Sequence, residues 1–211
     1  MRTWPVLILP LALSGAAAWL EPHRGAQQPA LELSCTHFTA TMTEAELQAR
    51  YGAENVDSAG VVGFDDGPQP GVVVFPNEPE ARLEIIWADP VGKRWPALVM
   101  VRDSATRWRT PSGIRVGMDL RSLERANRRP FRLRGLWAEG GGGGRVLSWA
   151  GGRLEMPRTD SCEIDVYLQP AYDGSEPAVM RQITPAREFS SGHPTFQAVN
   201  PRVVAVTVHF R

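Results

Sequence analysis

Apolar positions along this chain fall into three patterns, and each predicts a different kind of element. The first is an unbroken apolar run, "PVLILPLALSG", behind a single cation, Arg2, and ending in Ala16-Ala17-Ala18. It is shorter than the roughly 20 apolar residues a membrane-spanning helix needs. Small residues at its close are what a signal peptidase reads. The pattern predicts a cleaved export signal over 1–18, with no transmembrane segment left after cleavage. Residues 19–35 show no periodicity and read as a flexible leader.

The second pattern is a short amphipathic helix, met twice. In "TMTEAELQARYG" Thr43 is an N-cap, and Glu46 three residues on completes a capping box by reaching back to the cap's backbone N–H. Ala45, Leu47 and Tyr51 give the helix a partly apolar side, and Gly52 suits the left-handed turn that ends it. In "GIRVGMDLRSLERANRRPF" the cap is Asp119, Leu120 and Leu123 follow, and Pro130 forbids continuation. Met42 falls on Met118, Thr43 on Asp119, Leu47 on Leu123 and Tyr51 on Asn127.

The third pattern is a set of short β-branched or aromatic runs set off by Gly, Pro, Asn or Asp. After the first helix come "AGVVGF", "GVVVF", "ARLEIIW" and "WPALVMV"; after the second come "FRLRGLW", "RVLSW", "GRLEM", "CEIDVYL" and "VVAVTVHF". Residues 162–168 alternate: Cys162, Ile164, Val166 and Leu168 on one side, Glu163, Asp165 and Tyr167 on the other, as in a sheet with one buried and one wet face. In the terminal run Val204, Val206, Val208 and Phe210 form the apolar side. The predicted class is α+β: two tandem units, 36–110 and 111–211, each a short helix followed by an antiparallel sheet of about four strands. Turn-rich 63–71 and the glycine run 139–145 read as loops. A proline-rich insert spans 170–200, with a short helix near 177–183.

The segments Met42-Thr43 with Leu47 and Gly52, and Gly117-Met118-Asp119 with Leu123, resemble the repeat of the secreted β-lactamase inhibitor proteins. They also resemble the single unit of the SmpA-type outer-membrane assembly lipoproteins. The first copy has Thr41 where that motif has glycine, and the second has Arg128 at its closing glycine. The whole chain is similar to exported proteins of Gram-negative bacteria. The resemblance implies a binding module outside the cytoplasm that holds another protein on an open sheet face.

Composition narrows the chemistry. With 23 basic and 23 acidic residues there is no cationic excess of the kind nucleic-acid binding demands. Lys93 is the single lysine, and the arginine-rich, Ala-, Gly- and Pro-rich usage is what a GC-rich coding sequence produces. Two cysteines, Cys35 and Cys162, in an exported chain predict one disulfide. Closing a loop of about 126 residues contributes roughly 4–5 kcal/mol on the chain-entropy account. Four histidines, 23, 37, 193 and 209, are scattered without metal-ligand spacing, so neither a metal nor a cofactor is expected. No Gly-x-Ser-x-Gly elbow is present, and the glycine run lacks the lysine and helix of a phosphate loop.

Five tryptophans, 87, 95, 108, 137 and 149, fall at or near strand ends. Trp87 and Trp149 suit the core. Trp108, in a polar linker between Arg107 and Arg109, is expected to be exposed. The expectation is a non-catalytic periplasmic or secreted protein that binds a protein or cell-envelope partner, with Trp108, Glu163, Asp165 and Tyr167 as contacts. The alternative is an envelope hydrolase using acidic residues between the halves; the third is a structural protein without a dedicated ligand.

Overall fold

The computed structural model describes residues 30–58, 60–62, 67–136, 144–157, 159–170 and 180–211, of which 60–62 and 68 are described in backbone alone. The expected export signal, most of the leader, the glycines at 140–143 and Trp137 lie outside these residues.

In chain order, β1 (Leu31–Glu32) precedes α1 (Glu44–Tyr51), and β2 (Val56–Asp57), β3 (Gly60–Val62), β4 (Pro68–Val74), β5 (Leu83–Asp89) and β6 (Arg94–Val101) follow. After β7 (Trp108–Arg109) come α2 (Leu120–Asn127), β8 (Arg132–Arg134), β9 (Gly144–Ser148), β10 (Cys162–Gln169), β11 (Glu188–Ser190), α3 (Pro194–Val199) and β12 (Arg202–Phe210). The class is α+β, with few helices and one large antiparallel sheet. Its strand order is β11-β8-β9-β10-β12-β6-β5-β4-β2, with β3 pairing on β4; β1 and β7 form a separate parallel pair.

Both long helices start as their caps dictate. The Thr43 hydroxyl accepts from the Glu46 N–H at 3.2 Å while Glu46 Oε2 accepts from the Thr43 N–H at 2.8 Å. Asp119 Oδ1 accepts from the Ser122 N–H at 2.8 Å. α2 ends with Arg128 in the left-handed region, φ 63°. Eight residues make too short a helix to persist alone, so both depend on packing.

The entry of α1 is also tied to the start of β6, and the entry of α2 to the start of β12. The Met42 carbonyl accepts from the Trp95 N–H at 3.0 Å, and the Met118 carbonyl accepts from the Val203 N–H at 2.8 Å. The Glu44 N–H donates to the Lys93 carbonyl at 2.9 Å, and the Leu120 N–H donates to the Pro201 carbonyl at 2.8 Å. Gly117 sits at φ 88°, where a side chain would be strained, and its N–H reaches the Val203 carbonyl at 2.8 Å.

The sheet's two faces are distinct. Leu47, Leu120, Leu123 and Phe196 from the helices pack with Val72, Val74, Ile85, Val99, Val101, Val206 and Val208 in the main core. The intervening residues Val73, Ile86, Leu98 and Met100 form a smaller cluster with no helical member, on the opposite face, as strand alternation requires.

Four expectations need correction. A shift in register between Tyr167 and Leu168 puts Val203, not Val204, into the core, because a bulge moves the following residues to the other side. "GRLEM" forms turns rather than a strand: the Asn127 side chain accepts from the Leu154 N–H and donates to the Trp149 carbonyl, pinning that loop to the end of α2. The end of the leader is ordered, since Leu31 and Glu32 pair with Trp108 and Arg109. The loops expected at 63–71 and 139–145 are strand in part, since Pro68–Gly71 open β4 and Gly144–Arg145 open β9. Within the proline-rich insert the described residues hold a 3-10 turn at Met180–Gln182, inside the span expected to be helical, then β11, paired with β8, and α3.

Candidate functional site

β10 carries the three acidic and aromatic contacts expected from alternation, and register shows what stands beside them. Glu163 lies opposite His209, Asp165 opposite Thr207, and Tyr167 opposite Ala205 on one side and Arg145 on the other. The rows continue into the first half, because His209 faces Leu98 and Thr207 faces Met100 across the β12–β6 pair. Ile86 and Glu84 lie next in line on β5. The face is therefore polar over β9, β10 and β12 and largely apolar over β6, β5 and β4. Glu84 is the exception, held by Arg82 at 3.1 Å and by Arg102.

Asp165 is the centre of the polar part and is not wet: it is 5% exposed. Arg145 Nη1 stands 3.4 Å from its Oδ2, and His209 Nε2 stands 3.6 Å from the same oxygen. Burial pushes the Asp165 carboxyl above its ordinary value, against the pull of Arg145 and His209. Burial likewise holds His209 below 6.5, against the attraction of Asp165. The Tyr167 phenol is pushed up to about 12, first by burial and then by the Asp165 charge. Glu163 pairs with Arg211 near the chain end. The structure thus brings Glu163, Asp165 and Tyr167 together and adds Arg145, His209 and Arg211. His209 was within reach of the sequence, since alternation in the last strand puts it on the polar side. Arg145 was not, because its place depends on how β9 meets β10.

Trp108 belongs elsewhere, and its expected exposure is overturned. It is 1% exposed, its Nε1–H donates to the Ala81 carbonyl at 2.7 Å, and its ring lies 5.7 Å from that of Phe38. Pairing of β7 with β1 closes the linker over it, which a local reading of polar neighbours does not anticipate. Trp87 and Trp149 are in the core as expected.

The two cysteines form the expected disulfide, Cys35 to Cys162, with Cα atoms 6.0 Å apart. It fastens the segment before α1 to the start of β10. Between β9 and β10 lies a shallow notch of mixed lining, Val146, Trp149, Met156 and Ile164 together with Ser148 and Glu155, with room for roughly one water molecule. The Asp165 side chain does not line it. Among the described residues no three His, Cys, Asp or Glu side chains converge as a metal site would need, and no helix is long and apolar enough to cross a membrane.

The chain matches no family model, no curated protein and no solved structure.

Proposed function

We propose that this chain is an exported, non-catalytic protein made of two helix-plus-four-strand units, and that it holds a protein or cell-envelope component on the sheet face carrying Glu163, Asp165 and Tyr167. The observation that carries the reading is the continuity of that face. β12 and β6 pair antiparallel over Val206–His209 and Leu98–Val101, so one sheet face runs from β9 to β4; its middle, Thr207, Met100, Ile86 and Val73, is buried, and Glu163, Tyr167 and His209 are its partly exposed members. The order β8-β9-β10-β12 mirrors β2-β4-β5-β6, and the matched bonds at Met42 and Met118 support descent of both halves from one unit. Export is supported by the Cys35–Cys162 bridge, which suits an oxidising compartment.

A crosslinking pull-down from envelope extract of the native host tests the binding face. Glu163→Arg with Tyr167→Ser should abolish capture of whatever the wild type retains, while circular dichroism stays unchanged. Undiminished capture by this folded variant sinks the reading. Trp108→Ala is unsuitable as a binding probe, since it opens the core.

One observation favours a second reading, an envelope hydrolase: Asp165 and His209 lie side by side with their proton affinities shifted in opposite directions. Perturbed titratable groups gathered in one cluster are found at acid–base sites as well as in structural ion pairs. Cell-wall hydrolysis lost in His209→Ala would favour it over the first.

A further inference from the structure

On the sheet face turned away from the helices, three carboxylates lie low and arginines lie over them. The side chains of Glu84, Glu163 and Asp165 are 11%, 12% and 6% exposed. Their arginines, Arg82 and Arg102 on Glu84, Arg211 on Glu163 and Arg145 on Asp165, are between 35% and 65% exposed. Four cations therefore meet solvent where three anions hardly do, in a chain whose charges balance at 23 and 23.

Register sets the spacing of these groups. Asp165 stands opposite Thr207, Thr207 opposite Met100, and Met100 opposite Glu84, so the two carboxylates close the ends of one row across β10, β12, β6 and β5. Three strand spacings separate them, roughly 14 Å. Glu163 is two residues from Asp165 on the same side of β10, roughly 7 Å along the strand, which brings Arg211 in beside Arg145. Asp57, an exposed carboxylate, lies farther along the row at the sheet edge, beyond Val73, and so outside the span between the two arginine groups.

A guanidinium carries five N–H donors in a fixed plane. Arg102, Arg145 and Arg211 each direct an Nη onto the carboxylate beneath. That contact steadies the plane and leaves donors for a carboxylate arriving from solvent, with little further side-chain entropy to lose. Val73, Ile86, Leu98 and Met100 between the two groups are all buried, so this stretch offers no aliphatic side chain to lie among acyl chains, as a membrane-surface site requires.

We infer that the occupant of this face is an acidic protein segment, its carboxylates taken by Arg145 and Arg211 at one end of the row and by Arg82 and Arg102 at the other. This rests on the binding role proposed above and names the chemistry of the partner. Glu84, Glu163 and Asp165 hold the arginines in place and do not themselves meet it.

Fluorescence anisotropy of a labelled oligoglutamate peptide, titrated with the oxidised protein, tests the inference, with oligolysine and phosphatidylglycerol vesicles as parallel probes. Binding of oligoglutamate alone is expected, weakening as salt screens the charges. Arg102→Gln with Arg211→Gln takes one arginine from each end and should raise the dissociation constant about tenfold. Circular dichroism should stay unchanged, since Arg82 and Arg145 still pair with Glu84 and Asp165. Arg50→Gln with Arg125→Gln removes the same charge from exposed positions on α1 and α2 and should shift it by less than about twofold. No binding of oligoglutamate, equal loss in both double variants, or binding to vesicles without binding to the peptide overturns the inference. In the envelope pull-down, a partner kept equally by wild type and by the Arg102 and Arg211 variant leaves the binding role standing and overturns its acidic chemistry.

Discussion

A carboxylate whose nearest cation, Arg145, stands 3.4 Å away, beside an imidazole at 3.6 Å whose own protonation burial opposes, in a site 5% exposed, is held too loosely to offset its lost hydration. That is why Asp165 binds its proton more readily in the folded chain than in the unfolded one. The sign of the linkage follows: a raised folded pKa contributes stability below the unfolded value and withdraws it as pH rises through the folded value. Asp165→Asn keeps the shape and removes the charge. It should be more stable than wild type at pH 7, with the advantage shrinking as the pH falls toward the carboxylate range, read from urea midpoints across pH. A less stable Asn variant at neutral pH would mean that Arg145 and His209 hold the anion better than this geometry suggests. His209 runs the other way. Its pKa is lowered from 6.5 by burial, so in acid below that value the unfolded chain takes up the proton first and stability declines. Alternation in "CEIDVYL" put Glu163, Asp165 and Tyr167 on one side correctly. It could not show that the side is dry at Asp165, because burial there depends on neighbours far along the chain.

At the level of elements, the caps were legible because capping is local: donor and acceptor lie three residues apart. Thr43→Ala and Asp119→Ala should each cost about 1 kcal/mol, measured by thermal or urea unfolding. Burial alone would raise the Asp119 carboxyl, but the Ser122 N–H and hydroxyl, with Arg125, hold it below its ordinary value on balance. Its stabilisation is therefore present above the unfolded pKa and lost as pH falls through the folded one, so the Asp119→Ala penalty should fade in acid. An unchanged penalty at low pH would remove the charge from the account. Strands with clean alternation, such as β10, were also legible. "GRLEM" misled because its pattern is strand-like while the Asn127 side chain claims its backbone, and the β12 bulge was invisible because it is a property of the pair, not of either strand.

Across the whole molecule the Cys35–Cys162 bond spans 127 residues and ties the segment before α1 to a strand of the second half. Replacing both cysteines by serine should lower stability by roughly 4–5 kcal/mol on the chain-entropy account. Denaturant unfolding of the oxidised and serine forms checks this, and equal stability would mean that the unfolded chain is already compact. The sequence by itself determined the α+β class, both helix starts, most strands, and the single possible disulfide pairing, since each follows from neighbours a few residues apart or from counting. Only the tertiary structure decided that Trp108 is covered, that Asp165 is desolvated beside Arg145 and His209, and that β12 joins β6 to make one sheet. Those facts depend on which strand edges meet, and backbone hydrogen bonding between strands carries no local signature of its partner.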